Sequence, residues 1–151
     1  MINDDCSCLY IKKNFLDAFW SIQTLQHIPN YIEIYKKIYN QMKKGGYFYN
    51  CNLNTNLIIK FFYKIFNKNY IVSGYTKNYF IERSNNIQKK YLEKIFKNKA
   101  TIIYSELLFH PDIKIYTGSK NNFLGKINSL LSGSFILKKI FARQEAFLIK
   151  K

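Results

Sequence analysis

Arginine is scarce in this chain. Arg83 and Arg143 are the only two among 24 basic residues, which face nine acidic ones and leave a formal net charge of +15. A basic balance of that size points to nucleic acid or an anionic surface. Lysine, however, is a point charge, whereas the planar arginine fork is the usual reader of base edges. The lysines also come with abundant Asn, Ile, Tyr and Phe, the mixture an AT-rich coding sequence produces. The charge alone is therefore a weak argument for a nucleic-acid role. Proline and glycine are sparse, at two and six residues, so connections should be short. Cysteine is limited to Cys6, Cys8 and Cys51. An odd count argues against a disulfide framework, and Cys6-Ser7-Cys8 is too tight for the usual zinc spacing. No apolar run approaches the ~18 residues of a membrane span. The opening Met1-Ile2-Asn3-Asp4-Asp5 is acidic and has no apolar signal core, so a reducing cytoplasm is the expected location.

What is present is apolar and aromatic. Hydrophobic residues make up 48% of 151, and aromatics 18%, enough for one globular domain spanning 1–151. Phe15 to Ser21 is apolar on both faces apart from Asp17, the pattern of a parallel strand covered by helices on both sides. Pro29-Asn30 then opens a helix, with Asn30 as N-cap and Glu33 completing a capping box. Tyr31, Tyr35, Ile38 and Met42 form one apolar stripe. Lys43 and Lys44 suit the negative end of the helix dipole, and Gly45-Gly46 stops the helix. Tyr47 to Leu53 reads as the next strand, completing a βαβ unit. Helices are expected over Asn56–Phe66, around Ile87, Tyr91 and Ile95 with Leu92 and Phe96 beside them, and over Ile127–Ile140. Thr101–Phe109 and Gln144–Ile149 read as strands, and Ile113–Tyr116 continues or pairs with the former.

Two blocks carry a resemblance. Phe19-Trp20-Ser21-Ile22-Gln23-Thr24-Leu25-Gln26-His27-Ile28-Pro29-Asn30 and Met42-Lys43-Lys44-Gly45-Gly46-Tyr47-Phe48 resemble the type 11 group of class I S-adenosylmethionine (SAM)-dependent methyltransferases, with Lys44 where the family usually has proline. Asp5-Cys6, Leu9 and Asp17 reproduce the family's offsets ahead of its fourth strand, and Phe141 to Lys150 resembles its closing strand. The resemblance implies a partial Rossmann-like α/β sheet, strands four to seven with flanking helices. The N-terminal glycine-loop half is missing. The family's acidic ribose-binding residue is missing with it. Roughly 70–90 further residues would supply them. The family's sheet order, 3-2-1-4-5-7-6, pairs the fourth strand with the first. Phe15 to Ser21 should therefore lie at an edge with an unpaired backbone ladder, a template for other chains.

The resemblance also implies SAM as cofactor and assigns site residues. Asp5 and the Cys6 amide meet the adenine, while Ser21, Ile22 and Leu25 line the cofactor edge at the end of the fourth strand. Ser21 reads equally well as a small packing residue. His27, which titrates near neutral pH, is the candidate general base. No partner carboxylate is evident for it, which favours a structural loop histidine instead. His110, before Pro111, reads as structural. Asn50, Asn52 and Asn54 alternate along one strand face, where asparagine is unfavourable. Asn50 and Asn52 are candidates for lining a polar substrate pocket, with asparagine inflation from base composition the competing account, and Asn54 reads as a helix cap. The implied activity is methyl transfer from SAM to a small-molecule, sugar or lipid acceptor. The partners expected are that acceptor, together with a separate N-terminal half or a second copy of the chain. The alternatives are a non-catalytic remnant and a basic module for nucleic acid or anionic surfaces.

Overall fold

The computed structural model describes residues 11–28, 30–54, 61, 65, 85–105, 108 and 123–151. Four strands and four α-helices are defined among them. β1 (Leu16–Ile22) leads through a 3-10 turn (Leu25–His27) into α1 (Tyr31–Gln41), and β2 (Met42–Leu53) follows at once. α2 (Asn85–Phe96), β3 (Thr101–Tyr104), α3 (Phe123–Ser132), α4 (Phe135–Phe141) and β4 (Gln144–Lys150) complete the order. The strands form one sheet in the order β1-β2-β4-β3. β1 and β2 are parallel, with Phe19 opposite Phe48 and Ser21 opposite Asn50. β4 runs against β2: the Gly45 amide donates to the Lys151 carbonyl at 2.8 Å, and the Asn54 amide to the Arg143 carbonyl at 3.0 Å. Read in family order this is 4-5-7-6, and β1 is the outermost of the described strands on its side.

The chain divides into two compact units, 1–52 with 86–102 and 146–151, and 53–85 with 103–145. The first unit holds the main core. Leu25, Tyr31, Ile34, Tyr35, Ile38 and Met42 pack with Phe48, Leu92, Phe96, Phe147 and Ile149. The Phe48 ring stacks on Phe96 at 5.8 Å and meets Tyr35 edge-on at 5.7 Å. Alternation along β2 and β4 sends Phe48, Phe147 and Ile149 to the face that α1 and α2 cover. On α2 the buried stripe is Gln88, Leu92 and Phe96, one position round from the expected Ile87–Tyr91–Ile95 face, and Tyr91 is exposed.

Three local readings change. α1 ends at Gln41, not at the glycines, and Met42 is already extended. Lys43 to Gly46 instead lie in β2, where the step of five positions from Met42 to Tyr47 opposes the step of two from Leu16 to Ala18. Gly45 has φ +85°, and a Cβ on Gly46 would meet the Asp17 carbonyl at 2.8 Å, so this irregularity in the strand pair is what requires the glycine pair. The carbonyls at the end of α1 are met from far away. Lys151 Nζ donates to the Tyr39 and Met42 carbonyls, each at 2.7 Å, and lies 4.5 Å over the Tyr39 ring. Asn30 occupies the N-cap position with no side-chain cap bond, so the expected capping box does not form, although its carbonyl accepts from the Glu33 and Ile34 amides. In the second unit the expected Ile127–Ile140 helix is two helices, broken at Gly133, with Ser134 Oγ accepting from the Leu137 amide to start α4. Leu108 bridges Ala142, and the Asn54 amide group donates to the Ala142 carbonyl at 2.9 Å. Of the expected Asn56–Phe66 helix, Phe61 and Ile65 are helical. The remainder of that helix, most of the Thr101–Phe109 extension, Ile113–Tyr116 and His110 lie outside the described residues.

The expectation of helices on both faces of β1 also changes. Leu16 and Phe19 pack against the core, while Phe15, Trp20 and Ile22 are exposed.

Candidate functional site

The parallel pair β1–β2 ends on one side in a turn, the place where open α/β sheets bind ligands. Ile22 closes β1. Gln23 then takes φ 53°, a left-handed conformation uncommon for a residue with a side chain, and its amide donates to the Cys51 carbonyl at 2.7 Å. Thr24 Oγ1 donates back to the Ile22 carbonyl at 3.0 Å, and the 3-10 turn follows. A strained, backbone-tied turn at the carboxyl end of a strand gives this loop a fixed shape.

Ser21 is buried at this end, and its Oγ has no hydrogen-bond partner among the described residues. Ile22 is exposed, whereas Leu25 is buried in the core cluster. His27 closes the 3-10 turn directly after β1, its side chain outside the described residues. Asp5 and Cys6 also lie outside them.

Asn50 and Asn52 are both fully buried on the α1–α2 side of β2. The Asn50 amide donates to Tyr35 Oη at 3.0 Å, and Tyr35 Oη donates to Gln88 Oε1 at 2.8 Å. The Asn52 amide donates to the same Gln88 oxygen at 3.1 Å. One hydrogen-bonded chain thus ties β2 to both helices. Ser21 is the register partner of Asn50, so the polar group continues onto β1. The side-chain oxygens of Asn50 and Asn52 have no partner among the described residues. Burial pushes the Tyr35 phenol well above its ordinary value, with the neighbouring Tyr31 adding to the shift, so the hydroxyl stays a donor at neutral pH. Burial also raises the Cys51 thiol, against a smaller opposing hydrogen bond with Tyr49. Tyr35 and Gln88 are the members that sequence reading passed over. Tyr35 counted there as part of an apolar stripe. Gln88 had a signal, a polar residue four positions before Leu92 on an apolar helix face. Asp17 is exposed and pairs with Lys43 at 2.8 Å. Among the described residues no cluster of His, Cys, Asp and Glu could hold a metal ion, and no helix is long and apolar enough to cross a membrane.

No family model and no curated relative matches the sequence. Solved structures do match. A SAM-dependent methyltransferase from Archaeoglobus fulgidus aligns at TM-score 0.58 and 15% identity, over 99% of this chain and 66% of that one. A SAM-dependent methyltransferase from Thermotoga maritima aligns at TM-score 0.58 and 15% identity, over 99% and 63%. The fold is that of the class I SAM-dependent methyltransferases. Phosphoethanolamine N-methyltransferase 2 of Haemonchus contortus, solved in complex with SAM, aligns over 97% of this chain and 36% of that one, at TM-score 0.53 and 17% identity. The methyltransferase fold also serves other chemistry, since the [4+2]-cyclase SpnF aligns over 98% and 54% at TM-score 0.53 and 10% identity. The chain spans less than two thirds of the length of the first two of these structures.

Proposed function

We propose that this chain is the acceptor-side part of a SAM-dependent methyltransferase, moving a methyl group from SAM to a small-molecule, sugar or lipid acceptor. The observation that carries the reading is the end of β1. There the methyltransferase sheet order, a fixed turn at Gln23 and a buried Ser21 hydroxyl with no hydrogen-bond partner among the described residues coincide. Those features fit one edge of a bound SAM, with Ser21 and Ile22 against the cofactor and, by the family likeness, Asp5 and Cys6 at the adenine. SAM would supply an electrophilic methyl group on a sulfonium. The chain's own part is alignment, the larger share of catalysis in a direct displacement. The rigid β2 segment carrying Asn50 and Asn52 positions the acceptor side. His27, immediately beyond the turn, takes a proton from an oxygen or nitrogen acceptor. The glycine loop that would hold the rest of the cofactor belongs to the part of the fold that this sequence does not span.

Titration calorimetry of the whole chain with SAM tests this. Saturable binding is expected on the order of millimolar, since most polar anchors lie elsewhere. Ser21→Leu, which fills the cofactor edge, should weaken it by about tenfold or more. A titration that Ser21→Leu leaves unchanged, or no binding at about 10 mM SAM, overturns the assignment.

A further inference from the structure

Arg143 is one of only two arginines among 24 basic residues, and it stands between two strand ends. Asn54, next after β2, donates its backbone amide to the Arg143 carbonyl at 3.0 Å and its side-chain amide to the Ala142 carbonyl at 2.9 Å. Ser105, next after β3, donates its amide to the Gln144 carbonyl at 3.0 Å. Three consecutive carbonyls are thus held from two sides, and the backbone that carries the Arg143 side chain is fixed. That place is the carboxyl end of β2 and of β3, the end at which open α/β sheets take ligands. The side chain itself is not spent on the protein. Arg143 is partly buried and its Nε is shielded from solvent, yet the guanidinium has no hydrogen-bond or ion-pair partner among the described residues. The nearest acid along the chain, Glu145, takes the Asn85 side-chain amide at 3.1 Å instead. A shielded, unmet donor on a cation calls for a partner, and an oxyanion is what the guanidinium fork fits.

We propose that Arg143 reads an oxyanion on the acceptor, a carboxylate or a phosphate carried by the small molecule that is methylated. The anion rests on Arg143 itself, and its belonging to a methyl acceptor rests on the methyltransferase reading. A planar guanidinium presents Nε and one terminal nitrogen as parallel donors to such a group, which fixes the orientation of the molecule that bears it. Lysine offers a mobile point charge in its place. In a chain whose cations are otherwise nearly all lysine, the fork stands where a ligand is expected. The net charge of +15 draws small anions toward the whole surface, but only a fork on a fixed backbone orients one. A neutral sugar or an uncharged lipid would leave Nε unmet. The acceptor is therefore narrowed to molecules that carry a free oxyanion.

The arginine Nε–H signals in heteronuclear NMR spectra of the isotope-labelled full chain test this. Only Arg83 and Arg143 can give them, and Arg143→Lys identifies one by its loss. Sodium phosphate and sodium acetate are titrated separately at constant ionic strength, with chloride as the balancing anion. The Arg143 signal should shift and saturate with a dissociation constant on the order of millimolar for at least one of them, and the tighter of the two names the oxyanion. Arg143→Lys keeps the charge and loses the fork. Followed at the Asn54 and Gln144 backbone amides, it should bind the same anion at least about fivefold more weakly. An Arg143 signal that stays fixed through about 50 mM of both anions overturns the proposal and leaves Nε to water. So does a shift that chloride reproduces, or a lysine variant that binds as tightly. The titrations contain no SAM. An Arg143 response without SAM binding would defeat the methyltransferase reading alone, and SAM binding with a silent Arg143 would defeat this proposal alone.

Discussion

Tyr35 connects structure to chemistry through a single hydroxyl. Its ring packs against Tyr31 and Phe48, and its oxygen bridges the Asn50 amide and Gln88. Tyr35→Phe keeps the ring and leaves the buried Asn50 donor without its acceptor, a cost of about 1–3 kcal/mol at neutral pH. The pH dependence has a definite sign. The folded-state value lies above the ordinary phenol value of 10.0, so the folded chain resists ionisation while the unfolded chain ionises. Stability is fully present below pH 10 and falls as pH rises beyond it. The phenylalanine variant should lose that part of the alkaline decline, leaving what Cys51 and the other raised tyrosines contribute. Urea unfolding of both proteins between pH 8 and pH 11 checks this, and parallel curves would show that Tyr35 is not the buried group responsible. The asparagines illustrate how far the sequence could be read. Alternation put Asn50 and Asn52 on one face, and they are on one face. Their partners were not legible, because nothing local in the sequence marks a tyrosine 15 positions before Asn50 or a glutamine 36 positions after Asn52 as sharing their site.

Among the elements, β1, α1, β2 and β4 were legible because their apolar periodicity is strong and tertiary packing agrees with it. The junction between α1 and β2 was not. Lys43-Lys44-Gly45-Gly46 has the composition of a helix terminus, yet the strand pair claims it, since only glycines allow β2 to pass the Asp17 carbonyl so closely. The helix end then takes its cation from Lys151, 112 positions beyond Tyr39. A charged donor on two carbonyls at a helix C-terminus contributes about 1–2 kcal/mol in a half-buried setting. Lys151→Met should lower unfolding free energy by that amount in urea titrations. The neighbouring Lys150→Met should cost about 0.5 kcal/mol or less, since Lys150 is exposed and only lies 5.5 Å over the Tyr47 ring. Equal effects would mean that the Lys151 contacts do not hold the end of α1. Gly133 shows the reverse case. The stripe from Ile127 to Ile140 looks continuous by period, but Ser134 offers the Leu137 amide a cap and starts a new helix.

At the scale of the whole molecule, the chain covers only part of the fold it shares. Nearly all of this chain aligns with methyltransferase structures, while more than a third of the Thermotoga maritima chain has no counterpart in it. A cofactor site is a sum of contacts, and linkage converts that sum into stability. A ligand bound only by the folded state adds RT ln(1 + [SAM]/Kd), which is about 0.4 kcal/mol when SAM equals a millimolar Kd. For a chain of this size 1 kcal/mol moves the midpoint by roughly 2–4 °C. Thermal unfolding at about 1 mM SAM should therefore shift upward by only about 1–2 °C, and Ser21→Leu should abolish the shift. A site holding SAM at micromolar Kd would add about 4 kcal/mol under the same conditions and move the midpoint by roughly 8 °C or more. A shift of that size would mean that the loop after β1, with the residues preceding it, grips the whole cofactor without a glycine-loop half.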